Sequence, residues 1–226
     1  MDKKISIKTQ IKFNVFFIIC VSKTNFGMLK RDIEIALKLK EIKARNPALK
    51  DILIWESKNT NERNIEISKL LGNDLGNVLM AVQTLDPQSQ KFTNRDNIHL
   101  DQVPNKIELF HGAGALIETH VLSGLPGESF DGHLETLRKC FGFGFDFISV
   151  FSTLLVKGSE MEFPESQKKY QIQTEHRLRE GSYGMYRGIK SIESEEIVRS
   201  NSSISKEKML ALRPIHWLIW YGWNHG

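Results

Sequence analysis

The chain has 226 residues, of which 40% are hydrophobic, so it is long enough to bury one sizeable core or two small ones. Lysine and arginine outnumber aspartate and glutamate by 31 to 27, but the basic residues are scattered along the chain, which argues against a nucleic-acid partner. The two cysteines, Cys20 and Cys140, both lie in apolar runs, which argues against a disulfide framework and favours a reducing, cytoplasmic location.

The N-terminal segment has some features of a secretory signal. Residues 1–12 form a polar, lysine-containing lead, and residues 13–21 are apolar apart from Asn14. No small-x-small cleavage site follows, and the apolar stretch is far shorter than the roughly 20 residues that span a bilayer. The segment is therefore predicted to be a buried strand, and no membrane partner is expected.

A repeating order of strand, turn and helix extends from residue 13 to about residue 161. Residues 29–44, 62–71 and 130–140 show the spacing of amphipathic helices. Strand-forming apolar runs alternate with them at residues 13–21, 51–55, 78–82, 118–123 and 145–155. Five strands that alternate with helices predict an α/β fold with a parallel sheet or a segment of a barrel.

Beyond residue 161 the alternation stops and the composition becomes more polar. Residues 162–226 are predicted to form a C-terminal extension that is mostly helical, with residues 192–199 left open between a short strand and a helix. The last helix is predicted over residues 206–223, where Leu210, Trp217 and Trp220 make an apolar stripe. Such a stripe is typical of a side that packs into the core.

The most informative stretch is the end of the fourth predicted strand, where an apolar run stops in Gly124-Leu-Pro-Gly127 and a helix pattern opens after Ser129. In α/β proteins ligands bind at the carboxyl ends of parallel strands. Gly124 and Gly127 would let the backbone approach a ligand closely, and a plain tight turn is the alternative. Other known motifs are missing from the sequence: a dinucleotide fingerprint, a phosphate loop, a nucleophile elbow and a His-Glu-x-x-His zinc site.

The ordered motifs resemble those of the radical S-adenosylmethionine (radical SAM) superfamily, in its cobalamin-binding-domain-containing branch. The similar segments are residues 24–32, 57–59, 82–86, 121–129 and 158–161, each at or after a predicted strand. The resemblance implies a partial TIM-like (β/α) barrel over residues 13–161, about five parallel strands with helices outside. These strands would correspond to the second to sixth strands of the family.

The resemblance also implies cofactors. Members of the family bind S-adenosylmethionine and a 4Fe–4S cluster that three cysteines hold in a Cys-x3-Cys-x2-Cys motif, and this branch binds cobalamin through a separate N-terminal domain. The present sequence lacks that motif, and two distant cysteines cannot supply it. Lys23 also stands where the resemblance favours an aspartate. We therefore expect a fragment that is incomplete alone and whose partner is the missing N-terminal part of a split protein.

Candidate cofactor-binding residues follow from the same comparison. The polar side chains of Gln83 and Glu118 on apolar strands could hydrogen-bond the ribose or methionine part of S-adenosylmethionine, with structural hydrogen bonds as the alternative. The full candidate set is Asn25, Lys58, Gln83, Glu118, Gly124 and Gly127. Tyr183 and Arg187 are candidates for contact with a small-molecule substrate. The alternative function is that of a non-catalytic binding or interaction protein, or of a degenerate remnant of the enzyme.

Overall fold

The computed structural model describes residues 17–56, 62–94 and 100–226, and the chain divides into two compact units. The first unit lies within residues 1–80 and 101–118, and the second within residues 81–100 and 119–226. The chain passes from one unit to the other inside a single strand, Ile117–Ser123. No helix within the described ranges is long and apolar enough to cross a membrane.

The first unit contains a parallel sheet. Its strands are β1 (Phe17–Phe26), β2 (Leu49–Glu56), β3 (Leu75–Leu79) and the first two residues of β4 (Ile117–Ser123), and each pairs in parallel with the next. The helices of this unit are α1 (Arg31–Arg45), α2 (Glu62–Leu71) and α4 (Val103–His111). The predicted alternation of helices with parallel strands is confirmed here.

The boundaries of two strands differ from the prediction. β1 continues to Phe26, which pairs with Glu56, and Gly27 then ends it with a φ of +92°. Residues 13–16, predicted as the start of this strand, lie outside the described residues. β3 spans Leu75–Leu79 rather than residues 78–82. Gly76 and Asn77 are residue types that are uncommon in strands, so the sequence pattern did not indicate where this strand begins.

The second unit contains the rest of β4 beside β5 (Phe147–Ser152). The side-chain amide of Asn224 covers the backbone of β5, since its Oδ1 accepts from the Ile148 N–H and its Nδ2 donates to the Ile148 carbonyl, both at 3.0 Å. The helices of this unit are α3 (Pro87–Phe92), α5 (Phe130–Phe143), α6 (Pro164–Tyr170) and α7 (Lys206–Leu218), and α7 continues into a π-helical turn, Ile219–Trp223.

Residues 173–200 form an antiparallel hairpin, although the extension was predicted to be mostly helical. Its strands are β6 (Gln173–Tyr186) and β7 (Ile189–Ser200). Arg187 and Gly188 connect them with φ values of 51° and 81°, which match the right-handed twist of paired strands. The charged residues that suggested a helix instead pair across the strands, as Arg177 does with Glu195. Their partners are distant in sequence, so local spacing alone was misleading.

The aromatic stripe of the last helix is exposed, which corrects the prediction that it packs into the core. Leu210, Trp217 and Trp220 are 43%, 57% and 54% exposed, whereas Met209 and Leu212 are buried. Positions 209, 212 and 219 recur at helical spacing on another side of α7. The helix therefore has apolar residues on two sides, and the more aromatic side faces solvent.

The first turn of α5 packs tightly against the start of α3. The Asp86 carboxylate caps α3 by accepting hydrogen bonds from the backbone N–H groups of Gln88 and Ser89 at 2.9 and 3.2 Å. A Cβ atom at Gly132 would overlap the Oδ2 of this same carboxylate. By contrast, a Cβ atom at Gly142, further along α5, would meet nothing within 4 Å.

We expect Gly132→Ala to lower the free energy of unfolding by about 1–3 kcal/mol, because the added methyl group must displace the capping carboxylate. Gly142→Ala is the matched control on the same helix, and it should leave stability unchanged or raise it by up to about 1 kcal/mol, since alanine is the better helix former. Urea denaturation of the two variants measures both effects. Equal stabilities would contradict the packing described here.

Candidate functional site

The loop after β4, residues 124–128, is entirely buried in the second unit. Gly124 and Gly127 adopt φ values of +90° and +85°, a region that disfavours other residues, so both glycines are required by the turn itself. The amide of Asn201 holds the loop by donating to the carbonyls of Gly124 and Leu125 at 3.1 and 3.2 Å. We call residues 124–128 the β4 loop.

The space beside each glycine is filled by the protein. A Cβ atom at Gly124 would lie 2.7 Å from the Cε of Met209 on α7, and one at Gly127 would lie 2.9 Å from the Phe92 ring and 3.0 Å from the Gln88 carbonyl. Internal packing thus accounts for the close approach that the sequence suggested. Contact between these two glycines and a cofactor stays a prediction.

Glu128 is the polar centre of the second unit, and it is fully buried. One carboxylate oxygen accepts from the Thr84 hydroxyl at 2.8 Å, and the other accepts from the Gly124 N–H at 3.3 Å. The second oxygen also lies 3.1 Å from the Nδ1 of His133, a fully buried residue. A buried carboxylate is stable only with such partners. Glu128 therefore ties the β4 loop both to the segment before α3 and to α5.

Two of the segments that carried the resemblance meet at this carboxylate. Thr84 belongs to residues 82–86 and Glu128 to residues 121–129. A second link joins the same region to α5, because the Leu85 N–H donates to the Thr136 hydroxyl at 3.0 Å. The residue types in the two segments are thus explained in part by their mutual hydrogen bonds.

His133 extends the polar cluster to α7. Its Nε2 lies 2.9 Å from the Nε2 of His216. Burial, together with the charges of the nearby His133 and Arg213, lowers the pKa of His216 to about 4. His216 is therefore neutral at pH 7. Local spacing gave no signal of this pair, because the two histidines are 83 residues apart.

Gln83 has two unusual features that agree with a binding role. Its φ of 65° is left-handed, which is uncommon for a residue other than glycine. Its backbone is fixed beside β4, since its N–H donates to the His120 carbonyl at 2.7 Å and its carbonyl accepts from Leu122 at 2.8 Å. Within the described part of the chain its side-chain Oε1 is buried without a hydrogen-bond partner. This atom is free to accept a hydrogen bond from a ligand.

The other candidates lie elsewhere. Glu118 is in the first unit, where it accepts a long hydrogen bond of 3.5 Å from the Asn77 amide, a structural contact of the kind given as the alternative. Asn25 lies within β1 rather than in a loop, and Lys58 is outside the described residues. Tyr183 is 66% exposed on β6, and Arg187 occupies the turn of the hairpin. Gln83, Gly124 and Gly127 all lie in the second unit.

A small cavity of about 130 Å³ lies between the β4 loop and residues 158–161. Pro126 and Ser159 line it, and within the described ranges the Ser159 hydroxyl is buried without a hydrogen-bond partner. Ligand sites for drug-sized molecules occupy about 300–1,000 Å³, so this cavity accommodates part of a cofactor only. It brings residues 158–161, a third segment that carried the resemblance, beside residues 121–129.

The cysteines do not fit an iron–sulfur cluster. Cys140 is buried in α5, and burial raises the pKa of its thiol to about 12, so it is not the thiolate that a cluster requires. Cys20, the other cysteine of the chain, lies in β1. Among the described residues, no group of three or more His, Cys, Asp or Glu side chains is placed to hold a metal ion.

No family model matches the chain. It is 24% identical over 153 residues, or 66% of its length, to the cobalamin-dependent radical SAM methyltransferase TokK of Streptomyces tokunonensis. It is 32% identical over 111 residues to a 2-(S-pantetheinyl)-carbapenam-3-carboxylate methyltransferase of Streptantibioticus cattleyicolor. The chain therefore resembles cobalamin-dependent radical SAM methyltransferases. The matches cover 22% and 16% of those two proteins, so this chain corresponds to a minor part of each.

The fold agrees with this relationship. Two structures of the radical S-adenosylmethionine methyltransferase TsrM from Kitasatospora setae superpose with TM-scores of 0.53 and 0.58 at 12% and 10% identity. They cover 70% and 88% of this chain, which corresponds to 31% and 42% of the TsrM chains. The predicted resemblance to the radical SAM superfamily, in its cobalamin-associated branch, is confirmed, and so is the α/β class of the fold.

We expect Glu128→Ala to lower the free energy of unfolding by about 2–4 kcal/mol, because it leaves Thr84, the Gly124 N–H and His133 without their shared acceptor. Glu135→Ala is the control on α5, where a partly exposed carboxylate pairs with Arg138. It should change stability by less than about 0.5 kcal/mol. Chemical denaturation at neutral pH distinguishes the two, and a similar loss in both variants would contradict the central role of Glu128.

Proposed function

We propose that the chain binds S-adenosylmethionine as part of a radical SAM protein of the cobalamin-associated methyltransferase type. The observation that carries this proposal is the similarity to a cobalamin-dependent radical SAM methyltransferase over 66% of the chain. The contacts among motif segments support it, since Thr84 and Glu128, from two of those segments, share a buried hydrogen bond. S-adenosylmethionine would supply the methyl group or the radical when bound.

The residues of the second unit that we assign to the cofactor are those with unused polar atoms. The Gln83 Oε1 is a buried acceptor suited to an ammonium or hydroxyl group, both of which S-adenosylmethionine carries. The Ser159 hydroxyl and the cavity beside Pro126 offer a second contact region. In the first unit, Asn25 and Glu118 remain candidates by resemblance. Lys58 also remains a candidate by resemblance, although it lies outside the described residues.

The 4Fe–4S cluster of the family finds no ligand set in this chain, which has only two cysteines. We propose that any cluster is held by thiolates outside these 226 residues. Cobalamin would likewise bind to a separate domain. The buried thiol of Cys140 and the small number of cysteines favour a second candidate function, a non-catalytic binding protein that keeps a cofactor site without redox chemistry.

Calorimetric titration of the purified chain with S-adenosylmethionine tests the first proposal. We expect binding that weakens about 10- to 100-fold in Gln83→Gly, which removes the side-chain acceptor while glycine accommodates the left-handed φ. The control is Gln171→Gly, which makes the same change at another left-handed position, with a φ of 50°. This control should bind as the unaltered chain does.

The two candidate functions give different results. Absence of binding in the unaltered chain, or equal affinity in both glycine variants, would overturn the assignment of Gln83 to the cofactor. Anaerobic iron–sulfur reconstitution followed by absorbance is the companion measurement. Binding without cluster formation would favour the non-catalytic candidate for the isolated chain, whereas a cluster formed on this chain would contradict the argument from its cysteines.

A further inference from the structure

A continuous line of hydrogen bonds, buried except for a part-buried last link at His216, joins the β4 loop to α7. It begins at the Thr84 hydroxyl, passes through the Glu128 carboxylate and His133, and ends at His216. Glu128 and His133 are fully buried, so water cannot replace their partners. The line links three separate segments of the second unit.

The contact between the two imidazole rings has room for one hydrogen. At an Nε2–Nε2 distance of 2.9 Å, one nitrogen donates and the other accepts. Both oxygens of Glu128 already accept hydrogen bonds, from Thr84 and Gly124, which favours a carboxylate that also accepts from the Nδ1–H of His133. In that tautomer a neutral His133 accepts at Nε2 from the Nε2–H of His216. If both rings become fully protonated, two N–H groups point at each other and two positive charges repel.

The charged groups around this contact do not relieve such repulsion at His216. Arg213, on the same helix, carries a positive charge that acts on His216. The facing element α5 contributes His133, whose nearest carboxylate is Glu128, already engaged by three donors. Three other charged groups on the packed elements have partners of their own: Asp86 caps α3, Lys206 at the start of α7 pairs with Glu175 of β6, and Lys208 lies over the Phe130 ring.

We propose that Glu128, His133 and His216 form a proton-sensitive latch that holds α7 against α5 and releases it when the imidazole contact gains a second hydrogen. Besides this contact, α7 is held by an apolar cluster in which Met209 and Leu212 pack with Phe130 and Leu134 of α5. Met209 also covers Gly124 of the β4 loop. Release of α7 therefore uncovers that loop.

The direction of the pH effect follows from His216. Its pKa is about 4 in the folded chain against an ordinary value of 6.5, so the proton binds more tightly when the contact is broken. The stabilisation is fully present above pH 6.5 and is lost as the pH falls towards 4. Because the unfolded chain binds this proton more tightly than the folded chain, the folding constant falls about a hundredfold between pH 7 and pH 4.

The test compares the full chain with His216→Gln, in which an uncharged amide can still donate a hydrogen bond to the Nε2 of His133. Urea unfolding at several pH values between 7 and 4 should show that the folding constant of the unaltered chain falls about a hundredfold more than that of the variant. His225→Gln is the control, since His225 is exposed on the same C-terminal segment, and it should follow the unaltered chain.

Two local measurements separate release of α7 from general acid unfolding. Trp223 packs edge-on against Phe141 of α5, with ring centroids 4.8 Å apart. Tryptophan fluorescence in a background that carries Trp55→Phe, Trp217→Phe and Trp220→Phe therefore reports on the contact between α5 and the end of α7. NMR of the imidazole nitrogens gives the titration of His216 directly. The proposal is overturned if His216 titrates near 6.5 while the Trp223 signal stays unchanged, or if His216→Gln has the same pH dependence as the unaltered chain.

Discussion

The second unit depends on the burial of one carboxylate. Glu128 is fully enclosed, and a charge in that position must be matched by donors if the fold is to be stable. Its donors come from the segment before α3, from the β4 loop and from α5, so the three segments have to be placed together. The same requirement explains why Thr84 and His133 are polar residues at buried positions.

The sequence was sufficient to predict those strands and helices whose residue patterns are local. Apolar runs and helical spacing predicted the parallel strands and the helices α1, α2 and α5, because these patterns repeat within a few residues. It was insufficient where partners are distant. The hairpin of residues 173–200 depends on charge pairs such as Arg177 with Glu195, and the aromatic stripe of α7 is exposed because Met209 and Leu212 supply the packed side instead.

The candidate site shows the same division. The pattern Gly124-Leu-Pro-Gly127 predicted a turn that needs glycine, and the left-handed φ values bear this out, but the neighbours of the two glycines are Met209 and Phe92. Gln83 was chosen as a polar residue on an apolar strand, and only the structure shows that its side-chain Oε1 is buried and unused in the described part of the chain. The pairing of His133 with His216 required three-dimensional information.

The side-chain amide of Asn224 affects whether a strand of another molecule can pair with β5. It meets the backbone of Ile148 with one donor and one acceptor, which is the pattern that a peptide group of an adjacent strand would present. The edge of β5 is therefore occupied at this residue by a side chain that cannot extend into a ladder. A strand of another molecule could pair with β5 at this residue only after displacing Asn224. The C-terminal segment therefore hinders β-sheet polymerisation at this edge.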